Sequence, residues 1–231
     1  MKADQLYFHY PKSGRVLFDH ISFSLQHERV NVLAGPNGIG KTTLFDCICG
    51  ILKPQQGQLE FPPARDIMYL TQNIYFSPEM RGRDFAKLLR SLSGQRSSQD
   101  PLDYVDRDNT YDRELITRLW DLKIGRMSVG ERKQLFVKML IQSDRSLYLF
   151  DEPTSGVDPS SRFHILRTIQ ALAASGKTVL MTTHQLHELQ ELDSHFILLN
   201  HGKVQYEGDF QTWLNQYPTQ DPDQAFDLAV R

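Results

Sequence analysis

The feature that most constrains this chain is the stretch GPNGIGKTT at positions 35–43. It fills every fixed position of the pattern Gly-x-x-x-x-Gly-Lys-Ser/Thr. The apolar run RVNVLAG precedes it and predicts a buried strand, and TTLFDCICGIL follows it with helical spacing. A strand, a glycine-rich turn and a helix in this order bring backbone N–H groups and a helix N-terminus to one point. The sequence therefore predicts a phosphate-binding loop and, around it, an α/β fold.

Each residue type in this loop has a chemical reason to be there. The glycines allow a tight turn that aims successive N–H groups at phosphate oxygens. Lys41 supplies a positive charge for the β- and γ-phosphates, and Thr42 supplies a hydroxyl for Mg²⁺. The alternative, an ordinary glycine-rich turn, does not account for a lysine and a threonine at these places. The candidate ATP-binding residues of the loop are Gly35, Pro36, Asn37, Gly38, Ile39, Gly40, Lys41, Thr42 and Thr43.

A second apolar run, LYLFDEP at 147–153, ends in two acidic residues. Asp151 lies at the tip of a predicted buried strand, where a carboxylate can hold Mg²⁺ through oxygen. Glu152 faces a different direction and suits a general base that orients or deprotonates the attacking water. Two acids after a strand are commonly only a turn, but beside a phosphate-binding loop they indicate a hydrolytic site.

His184 follows the predicted strand TVLMTT. A histidine at a strand end is most often a solvated turn residue. The carboxyl ends of strands, however, form the edge where ligands bind in doubly wound sheets. An imidazole at this edge can contact a γ-phosphate, so His184 is a third catalytic candidate.

The remaining pattern predicts a βα core that carries a helical insertion. Residues 3–33 alternate apolar and polar positions around turn signals and predict a small N-terminal β region. Residues 77–146 contain three helical patterns, SPEMRGRDFAKLLRSL, YDRELITRLWDL and SVGERKQLFVKMLIQ. Between the first two lies the polar stretch SGQRSSQDPLDYVDRDN, which predicts a loop with no need to pack. The fold class predicted is an α/β P-loop NTPase core with an N-terminal antiparallel β region and an inserted α-helical subdomain.

Composition narrows the class of protein. The 231 residues carry 26 basic and 28 acidic side chains, a net charge of −2, which argues against nucleic acid as a partner. The two cysteines, Cys47 and Cys49, lie two apart on a predicted helix and are expected to stay reduced and unpaired. The N-terminus lacks the pattern of a signal peptide, and no apolar run approaches the ~20 residues of a membrane span.

Taken together, these residues resemble the nucleotide-binding subunits of ATP-binding cassette (ABC) transporters, from about Leu6 to Gly208. GPNGIGKTT matches the Walker A loop of that family, LYLFDE matches Walker B with its catalytic glutamate, and His184 matches the switch histidine. The resemblance implies one domain over 1–231, with a RecA-like core at about 1–76 and 147–231 and the insertion at about 77–146. It further implies roles for three residues outside these motifs: Tyr10 stacks on adenine, Gln72 contacts Mg²⁺ or water, and Asp158 belongs to the D-loop. Ordinary explanations for these three are a strand aromatic, a solvated loop residue and a helix cap.

MSVGERKQ at 127–134 lies where the family carries its signature Leu-Ser-Gly-Gly-Gln. The resemblance implies that Ser128 and the Gly130 N–H hold the γ-phosphate of ATP bound by a partner cassette. Val129 and Glu131 depart from the pattern, and Glu131 adds a negative charge near the nucleotide. Ser128 and Gly130 are retained, and a working signature is expected. Without the family, the same stretch predicts a helix N-terminus capped by Ser128.

The resemblance also sets the expected biology. It implies an ATPase that uses ATP and Mg²⁺, dimerises with a second cassette and powers a separately encoded transmembrane permease. The chain itself is expected in the cytoplasm, peripheral at the inner face of the cell membrane through that permease. The compact length and the ending YEGDFQTWL favour export of peptides, drugs or lipids. A soluble ABC ATPase, for example in cluster assembly, is the alternative. Tyr75 and Phe76, beside Gln72, are either anchors for the permease or part of the insertion's own core.

Overall fold

The strand that precedes the phosphate-binding loop lies inside a six-stranded sheet. The computed structural model describes residues 1–11, 14–94, 96, 98–106 and 108–231, so parts of the predicted turn (Lys12, Ser13) and of the predicted polar loop (Gln95, Ser97, Arg107) lie outside the described residues. In chain order the strands are β1 (Lys2–His9), β2 (Val16–Ser24), β3 (Val30–Ala34), β4 (Gln56–Glu60), β5 (Ile67–Leu70), β6 (Leu147–Asp151), β7 (Thr178–Thr182), β8 (Ser194–Asn200) and β9 (Lys203–Asp209). The α-helices are α1 (Lys41–Ile48), α2 (Gly82–Leu92), α3 (Thr110–Trp120), α4 (Val129–Leu140), α5 (Pro159–Ala174), α6 (Phe210–Leu214) and α7 (Pro222–Val230).

The large sheet has the strand order β5-β6-β7-β3-β8-β9, and the first five of these strands run parallel. Strand β9 pairs antiparallel with β8 and closes the hairpin predicted at His201-Gly202. Parallel strands have their carboxyl ends at one edge of a sheet. The loops after β5, β6, β7 and β3 therefore meet at that edge, and these loops carry Gln72, Glu152, His184 and the phosphate-binding loop.

A smaller antiparallel sheet, in the order β2-β1-β4, is formed by the N-terminal region together with one later strand. It packs with α1 against one face of the large sheet, where Leu33, Leu149 and Leu180 point into a shared core. Their neighbours Val32, Phe150 and Met181 point to the opposite face and pack against the helices. This alternation along each strand accounts for the uniformly apolar strand sequences, because both faces are covered. The predicted fold class, an α/β P-loop NTPase with an antiparallel N-terminal β region, is confirmed.

Helices α2, α3 and α4 all lie in the chain between β5 and β6, and their buried side chains join the core on the helical face of the large sheet. Helix α2 begins later than its pattern predicts. Its start is at Gly82 because the Asp84 carboxylate accepts the Arg81 N–H at 3.0 Å. A Cβ on Gly82 would also lie 2.4 Å from the Leu119 carbonyl oxygen.

The polar stretch before α3 packs more than its sequence predicts. Tyr104 ends a short 3₁₀ turn, Pro101–Tyr104, and is 1% exposed. Its ring lies 5.1 Å from that of Trp120, and the Arg90 guanidinium covers it at 4.0 Å. The expectation of a loop with no need to pack is wrong at this point, because one aromatic residue anchors a segment that is otherwise polar.

Two further expectations concern the cysteines and membrane-spanning helices. Cys47 and Cys49 are both free, as expected, and burial raises the pKa of their thiols to about 12 and about 11. Among the described residues, no helix is both long enough and apolar enough to cross a bilayer.

Candidate active site

The phosphate-binding loop takes a conformation that only its glycines allow at two places. Gly40 has φ of 113°, and a Cβ there would lie 2.7 Å from Leu17 Cδ2. A Cβ on Gly35 would lie 2.3 Å from the Leu199 carbonyl oxygen. Helix α1 begins at Lys41 without a side-chain cap at Gly40. Its first N–H groups therefore face the cleft without a capping side chain, which leaves them suited to phosphate oxygens.

Lys41 is buried beneath this loop. Its Nζ donates to the carbonyl oxygens of Gly35 at 2.7 Å and Pro36 at 3.3 Å. Burial lowers the pKa of Lys41, and the nearby charges of Glu152 and Asp151 act in the opposite direction. The ammonium group is thus held at the loop by weak neutral acceptors, which an anionic phosphate can replace.

Asp151 lies between two hydroxyl groups. Thr42 Oγ1 donates to one carboxylate oxygen at 2.7 Å, and Thr182 Oγ1 donates to the other at 2.6 Å. Strand pairing sets this contact, because Asp151 and Thr182 lie directly opposite each other on β6 and β7. Mg²⁺ prefers oxygen ligands, and the hydroxyl and carboxylate oxygens of Thr42 and Asp151 converge as such a pair. The donor set fits the metal that the sequence predicts.

Glu152 has an unusual backbone. Its φ is +49°, a left-handed conformation that is costly for a residue with a Cβ. Two contacts hold it there: the Glu152 N–H donates to Thr182 Oγ1 at 2.9 Å, and Lys133 Nζ donates to the Glu152 carbonyl at 3.0 Å. Strained residues of this kind collect at functional sites.

This backbone aims the Glu152 carboxylate at the other two predicted catalytic residues. Gln72 Nε2 donates to Glu152 Oε2 at 2.8 Å, and His184 Nδ1 lies 3.2 Å from the same oxygen. The side-chain hydrogen bond of Gln72 thus goes to Glu152 rather than to Asp151. Asp151 and Glu152 therefore face different partners, as the predicted division between a metal ligand and a general base requires.

Tyr10 lies at the rim of the same cleft. Its hydroxyl is 3.0 Å from Thr43 Oγ1, its ring packs edge-on against Phe8, and its side chain is 42% exposed. The cleft encloses about 740 Å³. The described residues that line it are Tyr10, Arg15, Leu17, Asn37, Gly38, Gly40, Lys41, Thr42, Thr43, Gln72, Asp151, Glu152, Ser155 and His184.

The stretch Ser128–Glu131 is not among the described residues that line this cleft. Ser128 caps α4: its Oγ accepts the Glu131 N–H at 3.1 Å, and Glu131 Oε2 accepts the Ser128 N–H at 2.8 Å. Ser128 and Val129 are exposed, whereas Gly130 is buried. A Cβ on Gly130 would lie 2.3 Å from Ser161 Oγ and 2.7 Å from Asp158 Oδ2. Packing within the chain is therefore sufficient reason for a glycine at this position.

Asp158 is the N-cap of α5 and accepts the Ser161 N–H at 3.0 Å. Ser161 Oγ accepts in turn from Gln134 Nε2 at 3.1 Å, and Gln134 is 3% exposed. These bonds join the helix that follows Ser128 to the loop that contains Asp158. The cap expected from the residue type is present.

Three polar residues that support the site lie outside the candidate site residues that the sequence predicts. Thr182 supports both carboxylate residues, Lys133 supports the turn after β6 by donating also to the Ser155 carbonyl at 2.8 Å, and Gln134 links α4 to α5. The sequence does give a signal for each of them. Thr182 ends a predicted buried strand, and Lys133 and Gln134 directly follow MSVGER.

Comparison with known proteins agrees with this geometry. A family model described as "ABC transporter" matches residues 18–155. The chelated iron transport system membrane protein YfeB of Yersinia pestis is 31% identical over 81% of this chain and 67% of its own length. The zinc import ATP-binding protein ZnuC of Anaplasma marginale is 28% identical over 87% of this chain and 80% of its own length. The Nod factor export ATP-binding protein I of Sinorhizobium fredii is 29% identical over 84% of this chain and 59% of its own length.

These relatives bear on two expectations. Export is not supported as the direction of transport, since the names include zinc import and chelated iron transport beside Nod factor export. None of the three is named for cluster assembly, so that alternative is not favoured.

Solved structures agree on the fold. An ATP-binding subunit of an ABC transporter superposes with a TM-score of 0.79 at 20% identity, covering 100% of this chain and 99% of the other. A dimeric bacterial ABC transporter cassette superposes with a TM-score of 0.70 at 17% identity, covering 90% of this chain and 97% of the other. The family is one whose ATP-binding subunits dimerise and act with membrane permeases. The chain therefore belongs to the ABC transporter family, as an ATP-binding subunit whose ATPase activity is coupled to transport.

Proposed function

We propose that this chain binds Mg-ATP in the cleft above α1 and hydrolyses it only after closing on a second copy of itself. Lys41 and the N–H groups of the phosphate-binding loop bind the β- and γ-phosphates, and Tyr10 stacks on the adenine. Thr42, Asp151 and Gln72, from the loop after β5, would hold Mg²⁺. When bound, the metal would neutralise phosphate charge.

Hydrolysis is assigned to residues that meet at Glu152 Oε2. Glu152 orients the attacking water and accepts its proton, with its left-handed backbone held by Thr182 and Lys133. His184, 3.2 Å from that oxygen, contacts the γ-phosphate and keeps the carboxylate in place. Gln72 donates to the same oxygen at 2.8 Å, so a change at Glu152 also moves Gln72 and the segment that follows it in the chain.

One observation carries the proposal of a dimer. Ser128 is exposed at a helix N-terminus, yet Ser128 and Gly130 are not among the described residues that line the cleft of their own chain. Its hydroxyl accepts the Glu131 N–H at 3.1 Å and lies beside the Glu131 carboxylate. In a head-to-tail pair, Ser128 and the Gly130 N–H reach the γ-phosphate bound by the other copy. Asp158, hydrogen-bonded beside them, belongs to the same face.

A separately encoded transmembrane permease completes the assembly and holds this chain at the cytoplasmic face of the membrane. The helical subdomain, about 77–146, and the loop after Gln72 present the surface for it, while about 1–76 and 147–231 form the RecA-like core. For the cargo, the names of two relatives favour a metal ion or a metal chelate, taken up rather than exported. Loss of zinc or iron accumulation in cells carrying Lys41→Ala would support this class, and a defect confined to export would favour the Nod factor relative's direction instead.

The test of the ATP-bridged dimer uses Glu152→Gln. The amide keeps an oxygen that accepts from Gln72 but cannot take a proton from water, so ATP stays bound and uncleaved. Multi-angle light scattering is expected to show a monomer without nucleotide and a dimer with Mg-ATP. Glu152→Gln combined with Lys41→Ala is the matched control and is expected to remain a monomer. A variant that stays monomeric at saturating Mg-ATP, with nucleotide binding verified, would refute the proposed dimer.

A further inference from the structure

The acid that departs from the family's signature pattern has a specific partner in this chain. Glu131 stands where the family has glutamine, and its carboxylate is contacted by the Arg118 guanidinium from α3. The same carboxylate accepts the Ser128 N–H at 2.8 Å. The Glu131 side chain is 22% exposed and that of Arg118 is 56% exposed, so the pair lies at the surface that carries Ser128.

An uncompensated carboxylate here would oppose the proposed dimer. The γ-phosphate is anionic, and like charges brought into a partly desolvated interface repel each other more strongly than in water. The hydrogen bond from Arg118 lowers the pKa of Glu131, with a further contribution from the Ser128 N–H, so the carboxylate is ionised at neutral pH. The negative charge must therefore be balanced, and the guanidinium is in contact with it.

Arg118 also stabilises the orientation of the carboxylate. With one oxygen paired to Arg118 and the other to the Ser128 N–H, the capping box at the start of α4 is complete. A glutamine can make the same cap through its side-chain carbonyl without carrying a charge. The need for Arg118 thus arises from the acid at position 131.

We propose that Arg118 is a positioning residue for ATP-driven dimerisation, which neutralises Glu131 so that Ser128 and Gly130 can approach the γ-phosphate on the second copy. The inference rests on the dimer proposed above. Arg118 acts through Glu131 and does not itself contact the nucleotide. The dependence on Arg118 should disappear when residue 131 carries no charge.

A set of variants at positions 118 and 131 in the Glu152→Gln background tests this. Arg118→Ala is expected to raise the Mg-ATP concentration for half-maximal dimerisation by roughly three- to fivefold, on the scale of a partly exposed ion pair. Arg118→Ala combined with Glu131→Gln is expected to return it to within about twofold of the parent. Arg118→Lys, which keeps the charge, is expected to lie between the two. Sedimentation velocity across an ATP series measures all of these at one ionic strength.

Arg83→Ala is the matched control, because it also removes a partly exposed arginine of the insertion, one that contacts Asp121 and lies 3.9 Å from Asp84. It is expected to dimerise like the parent. Melting temperatures and the affinity of each monomer for a fluorescent ATP analogue separate dimerisation from folding and from nucleotide binding. Arg118→Ala that dimerises like Arg83→Ala, or a double variant that fails to recover, overturns the role of Arg118. A parent that binds ATP without dimerising overturns the proposed dimer itself.

Discussion

At the scale of single residues, the site depends on side chains that hold other side chains. Thr182 donates to Asp151 and accepts from the Glu152 N–H, so one hydroxyl positions both acids. Lys133 also supports Glu152, by donating to the carbonyl oxygens of Glu152 and Ser155. Burial disfavours its charged form and so lowers the pKa of its ammonium group. These supporting contacts keep Glu152 in a backbone conformation that it would not adopt alone.

Glu188 is a buried carboxylate behind the His184 loop. Thr154 Oγ1 donates to it at 2.9 Å, and Arg162 Nε lies 3.2 Å from its other oxygen. Burial raises its pKa above the ordinary value of 4.5, although Thr154 and Arg162 act in the opposite direction. The folded chain therefore holds this proton more tightly than the unfolded chain does. Its contribution to stability is complete below about pH 4.5 and is lost as pH rises through the folded pKa.

Glu188→Gln removes this titration and keeps an acceptor for Thr154. We expect the melting temperature of the wild type, relative to that of Glu188→Gln, to fall as pH is raised from about 4.5 towards 7. Differential scanning calorimetry across that range measures it. A difference between the two proteins that is constant or grows with pH would contradict the assignment.

At the scale of elements, the segment between β5 and α2 places the adjacent residues Tyr75 and Phe76 in different environments, which the sequence alone does not predict. The Phe76 ring lies 4.9 Å from that of Phe85 and 5.5 Å from that of Phe136, and both of those are buried. The Tyr75 side chain, by contrast, is 89% exposed. Phe76 therefore packs in the core of the insertion, and Tyr75 is the candidate for contact with a permease.

Phe76→Ala and Tyr75→Ala are expected to act differently. Phe76 is half-buried, so its loss should destabilise the isolated chain by roughly 2–3 kcal/mol, below the ~3–5 kcal/mol of a fully buried phenylalanine. Tyr75→Ala should leave the melting temperature and the ATPase of the isolated chain nearly unchanged and weaken recovery of the chain with its permease from detergent-solubilised membranes. Equal losses of stability in the two variants would refute the distinction.

At the scale of the whole molecule, the phosphate-binding loop joins the two halves of the core. It connects β3, at the middle of the large sheet, to α1, which packs with the antiparallel sheet on the opposite face from the helices. The site also takes residues from the loops after β5, β6 and β7. A nucleotide held by all of these binds only the folded chain, and such binding stabilises the fold by mass action.

Lys41→Ala is expected to weaken the stabilisation of the fold by bound nucleotide. Removing a charge-assisted contact of about 1.5–3 kcal/mol should raise the ADP concentration needed for a given rise in melting temperature by roughly ten- to a hundredfold. His184→Ala is the control: it should keep the ADP-dependent stabilisation while hydrolysis is largely lost. Thermal shift assays over an ADP series make both measurements. Similar losses of ADP-dependent stabilisation in the two variants would contradict the roles assigned to them.

Part of this protein was decided by sequence alone. The glycine spacing at 35–43, the apolar runs that end in Asp151 and before His184, and the cap at Ser128 are local patterns, and local backbone geometry is enough to interpret them. They predict the loop, the strand ends and the helix start, and the parallel sheet follows from the alternation of strands and helices. The fold class and the ATPase class needed no more than this.

Only the tertiary structure decided which distant side chains meet. Thr182 supports Asp151 because β6 and β7 pair in one particular register, and Tyr104 is buried because α2 and α3 leave a place for it beside Trp120. Arg118 reaches Glu131 because α3 packs against α4, across 13 residues of sequence. No periodicity encodes such contacts. They depend on how separate elements pack, which is a property of the whole core and not of any one stretch of the chain.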